Sequence, residues 1–69
     1  MYLHEAMCEV LRKRPGCRAH RAEVADAINR LRLYSRRDGE PLPPSQVSAR
    51  AGKYPRLFKT LGNGIIGLR

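Results

Sequence analysis

The amino-acid sequence predicts a mainly helical α+β domain in which three helices are followed by a C-terminal β-hairpin. Three features predict it: amphipathic helical stripes separated by proline and glycine, a Gly62-Asn63-Gly64 turn between two short apolar runs, and positive charge gathered in the second half of the chain. The chain has 69 residues, 42% of them hydrophobic, and a formal net charge of +8. A single domain this short buries only about 60% of the surface of its unfolded chain, which leaves one thin core. Such a core has little room for a substrate pocket of about 300 Å³ or more, so most enzyme classes are excluded at the outset. Hydrophobic residues spread along the whole chain oppose disorder.

In residues 2–14, Leu3, Met7, Val10 and Leu11 recur at i, i+4, i+7 and i+8, one apolar stripe of an amphipathic helix. Glu5 and Glu9 lie early and Arg12, Lys13 and Arg14 late, an order that suits the helix dipole. Pro15-Gly16 stops this helix, and Cys17 to His20 form a short extended entry to the next. The second helix is expected over about residues 21–33, with Val24, Ile28 and Leu31 as its stripe and Ala25 and Ala27 in support. Residues 34–43 read as a loop that turns at Asp38-Gly39. Proline suits the first helical position, so Pro43-Pro44 starts a third helix over about residues 44–53. Val47, Ala51 and Tyr54 lie on its inner side. Gly52 is the expected terminator, and Pro55 bars continuation past Tyr54. Residues 57–61 and 65–69 are the two strands, joined by glycine and asparagine residues that tolerate positive φ.

This order, combined with strong positive charge, describes a winged helix-turn-helix over residues 1–69. The third helix of such a fold enters the DNA major groove, and the hairpin is the wing beside it. The charge divides in the same sense. Residues 1–41 carry nine Arg or Lys against six Asp or Glu, whereas residues 42–69 carry Arg50, Lys53, Arg56, Lys59 and Arg69 with no acid. A carboxylate-free basic half favours a polyanionic partner, and double-stranded DNA is the first candidate. With Val47 turned inward, Ser45, Ala49 and Gly52 point away from the core, flanked by Gln46, Ser48 and Lys53. Small outermost residues let a helix approach base edges, where Gln46 has the amide geometry to read adenine and Ser45 or Ser48 can bond base edges or phosphate. Arg50 sits at the margin of the buried face, its stem suited to packing and its head to a phosphate. Lys53, Arg56 and Lys59 continue a backbone track toward the wing, and Arg36 and Arg37 in the preceding loop reach a flanking phosphate or the minor groove. The competing partner is another protein, because winged helices also use the same helix or wing in protein–protein interaction. RNA is disfavoured by the shortage of aromatic residues for base stacking.

Other chemistry is poorly represented. His4, Cys8, Cys17 and His20 read H-x3-C-x8-C-x2-H, which approaches zinc spacing. The paired knuckle of a zinc finger is missing, however, and Cys8 falls where an apolar helix face needs a small residue. Neither a metal nor a cofactor is therefore expected. Ser35, Ser45 and Ser48 have no histidine and acid arranged near them, and no GxSxG, GxxxxGK[ST] or HExxH pattern occurs, so no catalytic residue is assigned. Glu5 and Glu9 read as a solvated helix face. No stretch approaches the roughly 18 apolar residues of a spanning helix, and His4, Glu5 and Glu9 within residues 1–10 do not suit a signal peptide. A cytoplasmic, nucleoid-associated protein with reduced thiols and no membrane partner is the expectation.

The blocks LHEAMCEVLRKRPGCRAHRAEVADAI, PPSQVSARAGKYPRLF and NGIIGLR together resemble the HARE-HTH domains, a winged-helix family of bacterial RNA polymerase delta subunits, restriction systems and eukaryotic chromatin proteins. The resemblance covers nearly the whole chain. It implies DNA binding by a module attached to nucleases, methylases or transcription machinery, and sensing of modified bases has been proposed for the family. It adds the expectation that residues 1–69 are the N-terminal module of a longer protein, with an attached or associated effector such as a nuclease.

Overall fold

Leu3, Ala6, Met7, Val10 and Leu11 are all buried in the computed structural model, which describes residues 1–69. They form the inner face of α1 (Leu3–Arg12), whose first turn is closed by the Tyr2 backbone N–H donating to the Glu5 carboxylate at 2.8 Å. Helix α1 stops at Arg12, two residues before the expected end. Pro15 has no N–H to donate, and residues Pro15–Cys17 turn instead as a single 3-10 turn.

The extended entry is a true strand, β1 (Arg18–His20), and it leads into α2 (Arg21–Leu31). The His20 imidazole caps α2, its Nδ1 accepting from the Ala22 N–H at 3.0 Å. Helix α2 also ends two residues early. Arg32 adopts a left-handed conformation, φ 54°, so that its N–H reaches Asn29 O and the Leu33 N–H reaches Ile28 O. This is the closure usually built on glycine, and an arginine there leaves no sequence signal. Leu31, expected on the inner stripe, is 56% exposed because the helix ends around it.

The loop after α2 folds back through Asn29, whose side chain donates to Leu42 O at 3.0 Å and accepts from Leu42 N at 2.8 Å. That clamp buries Leu42 in the core. The expected turn forms between Arg36 and Gly39, with the Gly39 N–H donated to Arg36 O. Helix α3 (Pro44–Lys53) matches its predicted span. Gly52 lies inside its last turn and does not terminate it; Tyr54, the residue before Pro55, does. Val47 and Ala51 pack inward.

Strand β2 (Phe58–Gly62) starts one residue late, because Leu57 and Phe58 N–H both bond Tyr54 O and Leu57 belongs to that turn, and β3 (Ile65–Leu68) stops one residue before the expected end. The strands form one antiparallel sheet in the order β1-β3-β2, with Arg18 opposite Gly67, Ala19 opposite Ile66, and Phe58 opposite Leu68. Leu61 is an extra residue between the Thr60–Ile66 and Gly62–Ile65 pairs. Asn63 and Gly64, at φ 53° and 80°, form the two-residue turn. Ala19, Phe58 and Ile66 join the helical residues in a single core cluster. Three helices with an antiparallel sheet completed by the C-terminal hairpin make a mainly helical, winged-helix α+β fold. No helix is long and apolar enough to cross a membrane.

Candidate nucleic-acid interface

Helix α3 packs against α2, α1 and β2, and this fixes which of its faces meets solvent. Val47 and Ala51 point into the core. Ser45, Ala49, Gly52 and Lys53 are exposed, while Gln46, Ser48 and Arg50 are half-buried along the two margins. The outward ridge therefore consists of a hydroxyl, a methyl and a bare backbone, with the longer polar side chains beside it. A Cβ at Gly52 would meet nothing within 4 Å, so the ridge is open to solvent at its C-terminal end.

No acidic residue occupies the first turn of α3, and Arg50 and Lys53 occupy its last. The positive end of the helix dipole is thus left without a carboxylate. Across the molecule, carboxylates pair with Arg12, Arg14 and Arg36 only, through Glu9, Glu23 and Asp38. Arg50, Lys53, Arg56 and Lys59 have no acidic partner. Arg69, not assigned to the site, donates from Nε to Pro55 O at 2.6 Å and tethers the end of the chain to the segment after α3.

The two loop arginines differ. Arg36 is held within its own loop, bonded to Asp38 Oδ2 at 2.9 Å and to Pro41 O at 3.3 Å, whereas Arg37 is exposed. Both still line a shallow depression with Tyr34, Asp38 and Gln46, so the loop lies beside the N-terminal half of α3.

At the hairpin, Lys59 and Leu61 lie over Gly67, where a Cβ would come within 3.2 to 3.3 Å of their side chains. Gly67 also pairs with Arg18, so Arg18 and Lys59 flank it on the outer face of the sheet. Arg18 was not singled out from the sequence. The alternation Arg18-Ala19-His20, with Ala19 inward, is the signal that exposes it. The wing turn itself is fastened to the body of the domain: Gly64 O accepts from the Arg21 N–H at 2.8 Å, and Gly64 lies against the His20 ring.

The two histidines that approach zinc spacing are engaged elsewhere, and both cysteines are free thiols. His20 caps α2, and His4 is stacked between Tyr2 and Tyr54. Burial pushes the Cys8 thiol up from its ordinary value, an effect the Arg12 guanidinium partly offsets and Glu5 and Glu9 reinforce. A raised thiol has less thiolate, and so lower nucleophilicity, at neutral pH. No three His, Cys, Asp or Glu side chains lie together as a metal ion would require.

No protein-family model, curated protein or solved structure matches the chain, and the functional reading rests on this geometry.

Proposed function

We propose that the domain binds double-stranded DNA, with α3 lying in the major groove and Arg50, Lys53, Arg56 and Lys59 on the phosphates beside it. The observation that carries this reading is the complete absence of carboxylates from α3 and the hairpin, next to an exposed ridge of small residues on α3. Close approach of the helix axis to the bases needs such a ridge, and phosphate contacts need cations not already neutralised by acids. Gln46 is the residue suited to base reading. Ser45, Ser48 and Ala49 complete the groove-facing surface, and Arg37 is better placed than Arg36 for a flanking phosphate. The likeness to HARE-HTH domains extends the proposal to a targeting module of a restriction, modification or transcription protein, cytoplasmic and nucleoid-associated.

A titration of random-sequence duplex at several salt concentrations, followed by fluorescence anisotropy, tests it. Four phosphates neutralised by the four cations give a slope of log K against log salt of about −3.6, and Arg50→Ala with Lys53→Ala reduces it to about −1.8. Gln46→Ala changes preference among sequences more than it changes overall affinity. Absence of duplex binding at low salt sinks the proposal. The competing reading, a protein-interaction module, draws on a different feature: the groove between α1 and α2 floored by Val10 and Ala27 and edged by the exposed Leu31.

A further inference from the structure

Three rings form a continuous stack at the start of α1. His4, in the first turn, lies against Tyr54 with ring centroids 4.2 Å apart and planes 18° apart. On the other side it lies against Tyr2, with centroids 5.8 Å apart and planes within 9°. Tyr54 and His4 are half-buried, and Nδ1 of His4 is buried without a hydrogen-bond partner. Tyr2 is 71% exposed and does not belong to the core cluster. The stack therefore rises from the C-terminal cap of α3 and ends on a tyrosine ring that no further protein ring covers.

Its surroundings restrict what fits there. Met1 and Leu57 are exposed apolar neighbours, grouped with His4 around one shallow depression. Of the acids there, Glu9 is paired with Arg12, while Glu5 accepts the Tyr2 N–H and keeps its charge, so any anionic group must lie on the side of Lys53 and Arg56. Lys53 and Arg56 flank Tyr54 in the chain, both exposed and neither paired with an acid. A planar aromatic group that carries its own negative charge satisfies all of these features, and a nucleobase with its phosphate is such a group.

We propose that Tyr2 is a stacking platform for an unpaired nucleobase, so that the domain binds a DNA duplex with a single-stranded extension more tightly than a blunt duplex. This rests on the DNA-binding reading of α3. The extended strand leaves the duplex near the C-terminal end of α3, its phosphates meet Lys53 and Arg56, and its first base continues the series Tyr54–His4–Tyr2. Stacking on a π-face tolerates any base, so the preference is for an unpaired base and not for a sequence.

The test is an anisotropy titration of three DNAs, with any tag at the C-terminus: a blunt duplex, the same duplex with a short single-stranded extension, and that extension made of abasic nucleotides. The extension is expected to raise affinity by about 5- to 150-fold, the range of one base–aromatic stack, and the abasic extension is expected to add no such gain. Tyr2→Ala removes the gain while its blunt-duplex affinity stays unchanged, and Tyr2→Phe, which keeps the ring, retains it. Circular dichroism of each variant verifies that α1 is intact. A gain that survives Tyr2→Ala, a gain equal for the abasic extension, or no gain at all overturns the proposal. Binding of the blunt duplex reports on α3 separately. Should that fail, the same comparison is made on the single strand and its abasic counterpart: base-dependent binding lost in Tyr2→Ala upholds the platform, and its absence overturns it.

Discussion

Gly64 offers a sharp test of how the hairpin is attached to the helices. Its φ is +80°, and a Cβ there would lie 2.6 Å from His20 Nε2 and 3.0 Å from His20 Cδ2. A histidine free to swing aside would yield cheaply. This one does not, because its Nδ1 accepts the Ala22 N–H and caps α2. Gly64→Ala must therefore bear the positive-φ strain of about 1–2 kcal/mol and also displace the cap, worth about 0.5–2 kcal/mol. The sum, about 1.5–4 kcal/mol, is a large part of the roughly 3–10 kcal/mol expected for a domain of this length. Gly62 provides the control: its φ is +88°, and a Cβ there meets nothing within 4 Å. Gly62→Ala should cost the strain alone, about 1–2 kcal/mol. The assay is thermal and urea unfolding followed by circular dichroism. Gly64→Ala is expected to lower Tm by roughly 6–30 °C, at about 4–8 °C per kcal/mol for a domain of this size. In a His20→Ala background the Gly64 substitution falls back to the cost of Gly62→Ala, since the cap is already gone. Equal losses from Gly62→Ala and Gly64→Ala in the wild-type background would refute the reasoning.

Two further outcomes follow from the same contacts. Asn29→Ala leaves the Leu42 N–H and C=O without their partners and should destabilise by about 2–3 kcal/mol in urea unfolding, with Asn29→Asp also costly because a carboxylate faces the Leu42 carbonyl. In a Cys17→Ser background, alkylation of Cys8 by iodoacetamide should be slow at neutral pH. Its rate should keep climbing above the ordinary thiol range, because burial raises the thiol and only thiolate reacts; Arg12→Ala should slow it further by removing the one charge that favours thiolate.

The helices were legible because their signals are local. Leu3, Met7, Val10 and Leu11 repeat within one element, and Pro44 and Pro55 bracket α3 by the geometry of their own rings. What escaped depends on partners remote in the chain. The extended entry before α2 was legible, but its pairing was not: three residues carry too short an alternation to name a partner, and β1 becomes a strand through β3, more than forty residues away. Leu42 is buried because Asn29, on another element, holds both of its backbone groups. Arg36 was expected to reach outward, yet Asp38 and the Pro41 carbonyl hold it in the loop. The outward face of α3 was readable from helical spacing once Val47 was placed inward, and Ser45, Ala49 and Gly52 are all exposed there. The Tyr2–His4–Tyr54 stack was not, since Tyr54 comes from the far end of α3.

The attachment of the wing bears on how a duplex would be read. Gly64 closes the hairpin directly onto Arg21 and His20, so the turn cannot reach into a groove without giving up the bond from the Arg21 N–H to the Gly64 carbonyl. The wing is then left with Lys59, and Arg18 across Gly67, as groups able to meet a phosphate, and neither carries sequence information. Base reading falls to α3, whose outward ridge offers a hydroxyl, a methyl and a glycine, with one amide at Gln46 beside it. One well-placed bidentate amide contributes about 1–3 kcal/mol of discrimination, and a methyl facing thymine adds less. The electrostatic part, from cations that no carboxylate neutralises, is shared by every sequence. On the proposed function, a domain built in this way would bind duplex DNA with high salt sensitivity and low sequence selectivity, and a competition series should show affinities spread over no more than about two decades between the best and random sequences. A spread of four decades or more would require base contacts that α3 does not present, and would move the reading surface to another element.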